Sequence, residues 1–188
     1  MEKSEIRKKI KAMKAMMLEN EKLEAAEKVF EILEQSAAFM LAEKILMYHS
    51  LPDELPTRGF LNKWSSRKKF YLPRVNGVNL EILPYNESRL ELGSFHIEEP
   101  TGNDVVDPDE IELIVVPGVA YDEYGNRLGR GKGFYDRLLS SSSATKVGVG
   151  FDFQIVESIP SEPHDVAMDI VISPTRCRIL RKVKSRKR

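Results

Sequence analysis

The 188-residue sequence contains only one cysteine, Cys177, and no long apolar run. A single cysteine excludes an intrachain disulfide and argues against a small disulfide-stapled secreted domain. The longest apolar stretches, "ILMY" and "LIVVPGVAY", are far shorter than the ~20 residues that span a bilayer. The N-terminal "MEKSEIRKKIKAM" mixes charges with apolar residues, unlike a signal peptide. These features predict a cytoplasmic protein without a membrane segment.

Basic and acidic residues each number 29, but residues 176–188 hold eight Lys or Arg and no acid. Residues 1–175 therefore carry 21 basic against 29 acidic residues and lack the broad basic surface of dedicated nucleic-acid binders. A solvated tail is the simpler interpretation of "RKVKSRKR" at 181–188, and a nucleic-acid or membrane contact is the alternative. We expect one domain over 1–180 followed by a basic tail at 181–188, as a monomer or weak homodimer.

Apolar residues at helical spacing predict two amphipathic helices in the first ~35 residues. The first stripe contains Ile6, Ile10, Met13 and Met17, and the second contains Leu23, Ala26, Phe30 and Leu33. Ser36 is placed to cap a short helix over "AAFMLAEK", and "TRGFLNKW" also has a helical pattern.

The strand-like segments are "ILMYHS", "KFYLPR" and "VNLEILPY", and the polar Asn79 and Glu81 in the last of these predict an exposed face or an edge position. Residues 85–110 are rich in turn formers and predict a long surface loop. From Ile111 onward, strand-like "IELIVV", "TKVGVGF" and "AMDIVI" alternate with helical "FYDRLLS" and "FQIVESI". This alternation predicts an α/β protein whose parallel or mixed sheet is covered by helices on both faces.

A glycine-rich stretch, "GNRLGRGKGFYDRLL", follows the strand-like "IELIVV" and leads into a helical segment. Glycines let backbone N–H groups approach an oxyanion, and the cations at Arg127, Arg130 and Lys132 favour a phosphate ligand. A flexible surface turn with solvated charges is the alternative. The stretch is not a P-loop, because Asn126 stands where the first glycine is required, and Phe134 and Asp136 break the dinucleotide fingerprint.

The same stretch closely resembles the signature of the 5-formyltetrahydrofolate cyclo-ligase family, also called methenyltetrahydrofolate synthetases. The matching elements are Pro117-Gly118, Tyr121-Asp122 and the run from Gly125 to Asp136. Further matches along the chain are "KSEIR" at 3–7, "YHSLPDELPT" at 48–57, "LPR" at 72–74, "EEP" at 98–100 and "QIVESIPSEPHDVAMD" at 154–169. Two departures are Tyr121, where the family usually has Phe, and the basic extension after Ile179.

The resemblance implies a three-layer α/β/α sandwich with a mostly parallel sheet, similar to the ribose-phosphate isomerase and CoA-transferase folds. It implies conversion of 5-formyltetrahydrofolate and ATP to 5,10-methenyltetrahydrofolate, ADP and phosphate, with Mg²⁺ as cofactor. The alternative is a non-catalytic nucleotide- or RNA-binding relative that keeps the glycine loop. Retention of both Glu54 and Asp165 favours the enzyme over such a relative, and we expect no nucleic-acid partner.

The resemblance also implies roles for individual residues, each of which has a structural alternative. The ATP-binding positions are Lys3, Arg7, Arg127, Gly129, Arg130, Gly131, Lys132, Gly133, Phe134 and Tyr135. The folate-binding positions are Arg7, His49, Glu54, Arg130, Gly131, Lys132, Gly133 and Phe134. Arg130, Lys132 and Tyr135 are the catalytic candidates, and Asp136 and Asp165 are the Mg²⁺ candidates. Without the resemblance, Lys3 and Arg7 would be a solvated helix face, His49 a packed histidine and Asp136 a first-turn helix carboxylate.

Overall fold

A computed structural model describes residues 1–93 and 96–181, so most of the predicted basic tail, residues 182–188, lies outside the described residues. Over the described residues, the helices are α1 (Lys3–Ala15), α2 (Glu19–Glu34), α3 (Ala37–Leu41), α4 (Arg58–Trp64) and α5 (Phe134–Ser140). The strands are β1 (Lys44–Leu46), β2 (Lys69–Asn76), β3 (Asn79–Pro84), β4 (Leu90–Leu92), β5 (Glu98–Pro100), β6 (Leu113–Val116), β7 (Ala120–Asp122), β8 (Arg127–Leu128), β9 (Thr145–Val149), β10 (Ile155–Val156), β11 (Ile170–Ser173) and β12 (Arg176–Ile179). None of the described helices is long and apolar enough to cross a membrane.

The main sheet has seven strands in the order β12-β11-β9-β6-β1-β2-β3. The five central strands run parallel, and the edge strands β12 and β3 pair antiparallel with their neighbours. Two smaller sheets accompany it, with the orders β10-β7-β8 and β4-β5. The mixed α/β class, the mostly parallel sheet and the edge position of β3 are therefore confirmed.

Alternate residues of the central strands bury their side chains on opposite faces of the sheet. One face carries Ile45, Met47, Leu113, Val115, Val147 and Ile172, which share a core with α2, α3 and α4. The other face carries Leu46, Ile114, Val116 and Val171, which pack with Leu138 and Leu139 of α5 and with Tyr121 of β7. Both faces are covered, which accounts for the apolar run of β6, whose four residues are all buried.

The N-terminal helices form where the apolar spacing predicts them, and Ser36 caps α3 by accepting a hydrogen bond from the Phe39 amide at 3.2 Å. The prediction that Leu23 belongs to the buried stripe is wrong, because this residue is 58% exposed. Val29 of the same helix is fully buried instead. Ala26, Phe30 and Leu33 are buried as predicted.

Two predictions for the second half are wrong. The segment "FQIVESI" forms a 3₁₀ turn (Asp152–Gln154) and the short strand β10 instead of a helix, because β10 pairs in parallel with β7. The described part of residues 85–110 contains the β4-β5 pair and the 3₁₀ turns Glu87–Arg89 and Pro108–Glu110 rather than a continuous loop.

Candidate functional site

A cavity of about 640 Å³ lies beside the carboxyl ends of the neighbouring strands β6, β1 and β2. This is where open α/β sheets bind their ligands, because the connections after adjacent parallel strands meet there. Every residue for which the sequence predicts a role lines this cavity. The set comprises Lys3, Arg7, His49, Glu54, Arg127, Gly129, Arg130, Gly131, Lys132, Gly133, Phe134, Tyr135, Asp136 and Asp165.

The buried carboxylate of Asp122 organises the turn that leads into the glycine loop. Its Oδ1 accepts from the amides of Tyr124 and Asn126 at 3.0 and 2.9 Å, and its Oδ2 accepts from the Ile159 amide at 2.9 Å. The chain then forms β8, crosses the cavity wall as the glycine loop (Gly129–Gly133), and enters α5. Gly131 and Gly133 have φ values of 104° and 72°, a region that non-glycine residues rarely adopt.

Arginine side chains fix the loop and the strand connection beside it. Arg127, whose side chain is only 6% exposed, donates from Nε to the Pro117 carbonyl at 2.8 Å and lies 5.2 Å from the centre of the Tyr135 ring. Arg7 of α1 donates from Nε to the Gly129 carbonyl at 2.9 Å. Burial raises the pKa of Tyr135, so its phenol is protonated at neutral pH and can act as a hydrogen-bond donor.

Glu54 is the deeply buried carboxylate of the connection that follows β1. Its Oε1 accepts from the Leu51 amide at 2.9 Å, and its Oε2 lies 3.9 Å from Nη2 of Arg130. Burial raises the pKa of Glu54, while the charges of Arg130 and Lys14 act in the opposite direction. Arg130 also forms a 2.8 Å ion pair with Asp53. Burial tends to raise the pKa of Asp53, but the hydrogen bond from Arg130 and the charges of Lys14 and Arg130 together lower it.

His49 lies on the same wall, with its Nε2 atom 3.2 Å from Oε2 of Glu98. Burial lowers the pKa of His49 in spite of the nearby Glu98 carboxylate, so the imidazole is neutral at pH 7. Glu98 comes from β5, in the region that the sequence predicts as a surface loop.

The two predicted metal ligands both face the cavity but have different surroundings. Asp136 lies in the first turn of α5, and its buried Oδ1 has no hydrogen-bond partner among the described residues, with Nη1 of Arg127 at 3.9 Å. Asp165 lies 3.4 Å from Lys3 Nζ and accepts from the Glu162 amide at 2.8 Å. Asp165, Glu162 and His164 offer ligand atoms within 4.8 Å of one another, a group that does not include Asp136. An orphaned carboxylate oxygen and a second carboxylate on one cavity fit a hard cation such as Mg²⁺.

Sequence reasoning missed Lys14, whose residue is 6% exposed at the end of α1. Lys14 and Glu54 line the same small cavity of about 10 Å³. Burial lowers the pKa of Lys14, while Asp53 and Glu54 act to raise it. A signal was available, because Lys14 follows Ile10 by four residues and so occupies a position of the apolar stripe. Asp53 and Glu98 were also missed as site residues, although both lie in segments that match the family, "YHSLPDELPT" at 48–57 and "EEP" at 98–100.

Residues 1–174 match the model of the 5-formyltetrahydrofolate cyclo-ligase family. A 5-formyltetrahydrofolate cyclo-ligase of Escherichia coli (strain K12) is 34% identical over 147 residues, covering 73% of this chain and 81% of that protein. A probable 5-formyltetrahydrofolate cyclo-ligase of Caenorhabditis elegans is 28% identical, covering 90% of this chain and 91% of that protein.

Two solved structures are similar to the chain. The NMR structure of the Aquifex aeolicus 5,10-methenyltetrahydrofolate synthetase superimposes with a TM-score of 0.88 at 33% identity, covering 100% of this chain and 97% of that one. A Mycoplasma pneumoniae 5,10-methenyltetrahydrofolate synthetase shares the fold, with a TM-score of 0.76 at 20% identity over 93% of this chain and 99% of that one. By its sequence match over residues 1–174 and its relatives, the chain belongs to the 5-formyltetrahydrofolate cyclo-ligase family.

Proposed function

We propose that the protein catalyses the ATP-dependent cyclisation of 5-formyltetrahydrofolate to 5,10-methenyltetrahydrofolate, with release of ADP and phosphate. The observation that carries the proposal is the convergence of a cationic glycine loop, a buried carboxylate and two further aspartates on one cavity of about 640 Å³. This volume lies within the ~300–1,000 Å³ range typical of small-molecule sites.

The glycine loop and α1 form the nucleotide side of the proposed site. Phosphate oxygens need positive charge and N–H donors, which Lys3, Arg7, Arg130, Lys132 and the loop backbone supply. Arg127 and Tyr135 complete this wall, and the guanidinium over the ring fixes the start of α5. Arg130 is paired with Asp53, so it exchanges that carboxylate for a phosphate oxygen when ATP binds.

Glu54 and His49 form the folate side of the proposed site. The pterin ring presents amino and N–H donors, and an ionised carboxylate accepts two such bonds. Oε1 of Glu54 already accepts from Leu51, so Oε2 is the atom directed to the ligand. The neutral imidazole of His49 adds a second polar contact on this wall. Phe134 and the loop glycines line the same cavity, and we place the reacting groups beside them.

The chemical problem is a formyl carbon made unreactive by amide resonance and an oxygen that leaves poorly. Attack of the formyl oxygen on the γ-phosphorus breaks the bond to the β-phosphate oxygen and releases ADP. N10 then attacks the activated formyl carbon, loses its proton, and expels phosphate to give the methenyl product. Arg130 and Lys132 stabilise charge on the transferring phosphoryl oxygens, and the protonated Tyr135 donates a hydrogen bond in the same region.

Asp136 and Asp165 are the residues that would hold Mg²⁺. When bound, Mg²⁺ neutralises charge on the ATP phosphates. The buried Oδ1 of Asp136 supports this role, because it accepts no hydrogen bond from the described residues and, with Nη1 of Arg127 at 3.9 Å, remains able to bind a cation.

The proposal is tested with purified protein, 5-formyltetrahydrofolate, ATP and Mg²⁺ by following the absorbance of the methenyl product. Product should form only with ATP present, and ADP should appear in equal amount. A folded protein that forms no product over a range of temperatures would refute the proposal. ATP binding without product would instead support a non-catalytic nucleotide-binding relative.

A further inference from the structure

Arg137 of α5 ties the end of the glycine loop to the turn between β2 and β3. Its Nη2 donates to the Lys132 carbonyl at 2.9 Å, and its Nε donates to the Val78 carbonyl at 2.8 Å. The guanidinium also lies 5.6 Å from the centre of the Phe134 ring. Arg137 is not one of the described residues that line the cavity. It therefore contacts the loop from the side that faces away from the cavity.

The bond to the Lys132 carbonyl also sets the direction of the next amide. In a planar trans peptide, the carbonyl of one residue and the N–H of the following residue point in opposite directions. Holding the Lys132 carbonyl outward on Arg137 therefore turns the Gly133 N–H inward, toward the cavity that Gly133 lines. An inward N–H is a donor for a phosphate oxygen.

The glycine loop is held at both ends in this way. Arg7 binds the Gly129 carbonyl at one end, and Arg137 binds the Lys132 carbonyl at the other. Close packing at the second end is visible at Gly133, where an added Cβ would lie 2.8 Å from Nη1 of Arg137. Glycines give a free loop many conformations, and restraining them before the ligand arrives lowers the entropy cost of binding.

We propose that Arg137 is a positioning residue for nucleotide binding, acting through the Lys132 carbonyl and the Gly133 amide without touching the ligand. This inference rests on the proposed function, since it assumes that the glycine loop binds ATP. Val78 serves as the anchor, because it belongs to the two-residue turn that joins the paired strands β2 and β3 of the main sheet.

The test compares Arg137→Ala and Arg137→Lys with the unaltered protein, using Arg178→Ala as the matched control. Arg178 is an exposed arginine of β12, at the opposite edge of the sheet, so its loss removes the same charge without touching the loop. The Kd for ATP is measured calorimetrically at ~50 mM and ~500 mM salt, together with the KM for each substrate, kcat and the melting temperature.

Arg137→Ala should weaken ATP binding about tenfold, the size expected for losing one charge-assisted hydrogen bond that orients the loop. The KM for 5-formyltetrahydrofolate should stay near that of the unaltered protein. Arg137→Lys should recover part of the loss, because one ammonium replaces the two-pronged fork imperfectly. The loss should persist at high salt, where simple charge attraction is screened.

Three outcomes would overturn the inference. One is ATP binding by Arg137→Ala that equals binding by the unaltered protein and by Arg178→Ala. Another is a loss that disappears at ~500 mM salt or is fully restored by Arg137→Lys, which would make Arg137 a source of charge only. A lower kcat with unchanged Kd and KM would mean a reduced fraction of folded protein. An unaltered protein that binds ATP but makes no product would refute the proposed reaction and leave this inference open to the binding test.

Discussion

Glu54→Gln separates the ligand-binding role of this carboxylate from its effect on folding. The side chain of Glu54 is 10% exposed, its Oε1 accepts from the Leu51 amide at 2.9 Å, and its Oε2 lies 3.9 Å from Arg130. A glutamine has the same length, and its oxygen can keep the bond from Leu51. The substitution therefore removes the charge and one acceptor while preserving the shape of the connection.

The expected loss of folate affinity follows from the number of oxygens left for the ligand. Since one oxygen is held by Leu51, one charge-assisted hydrogen bond to the pterin is lost. Such bonds contribute ~1.5–3 kcal/mol, which corresponds to roughly a tenfold to hundredfold increase in KM for 5-formyltetrahydrofolate. The KM for ATP should change little, because the nucleotide side of the cavity is untouched.

The same substitution should weaken folate binding but stabilise the folded protein. Burial raises the pKa of Glu54 above its unfolded value, so the folded protein holds the proton more tightly than the unfolded chain does. The contribution of this group to stability is then complete below the unfolded pKa and is lost as pH rises through the folded pKa. Glu54→Gln, which is neutral at every pH, should melt at a higher temperature than the unaltered protein at pH 8. The difference should shrink as pH falls toward 4.

The assay measures both KM values at pH 7.5 and melting curves from pH 4 to 8. Glu27→Gln on the exposed face of α2 serves as the control, since it removes one carboxylate charge away from the cavity. An unchanged KM for 5-formyltetrahydrofolate in Glu54→Gln would refute the folate assignment. A melting temperature at pH 8 that falls instead of rising would refute the argument that burial makes the ionised Glu54 costly.

Three further predictions test other parts of the site. Lys132→Ala should fold normally and lose about a hundredfold or more in kcat, as expected for removing a transition-state donor worth ~3 kcal/mol; an unchanged kcat would place the lysine outside the chemistry. Asp136→Asn and Asp165→Asn should each raise the Mg²⁺ concentration for half-maximal rate and leave the ligand-free melting temperature little changed; an unaltered Mg²⁺ titration in both would end the metal assignment. His49, whose pKa burial lowers, should make the protein lose stability as pH falls through the ordinary histidine pKa, relative to His49→Gln; parallel melting curves from pH 5 to 8 would contradict this.

The main sheet could be predicted from the sequence because its central strands are buried on both faces. Apolar runs such as "LIVV" at 113–116 contain no polar residue, so their composition alone identifies them as buried strands. Short strands that depend on a partner were not accessible in this way. β10 contains two residues, and its conformation is decided by pairing with β7 at Tyr121 and Asp122. Local propensity therefore misassigned "FQIVESI" as helical, since tertiary pairing overrides it.

The site could be predicted from the sequence to the extent that its residues are close in sequence or match the family signature. Positive-φ glycines at 131 and 133 are required by a loop that no other residue could follow without strain, so the pattern is visible in the sequence. Asp53 and Glu98 lie in segments that match the family, but no local backbone requirement identifies what they contact. Each has a role only because the fold brings it to a partner far along the chain, Arg130 for Asp53 and His49 for Glu98.

Lys14 shows why charge inside the core is hard to interpret from sequence. A lysine in an otherwise apolar stripe costs free energy when buried, and the sequence gives no sign of what offsets that cost. In the folded protein, the opposing charges of Asp53 and Glu54 lie near it. The same two carboxylates also lie near Arg130, so two cations and two carboxylates cluster beside the part of the cavity wall that Glu54 and Arg130 form. If Arg130 binds the phosphates as proposed, Lys14 is the cation that stays beside Glu54, so the buried carboxylate keeps a positive neighbour for the proposed folate contact.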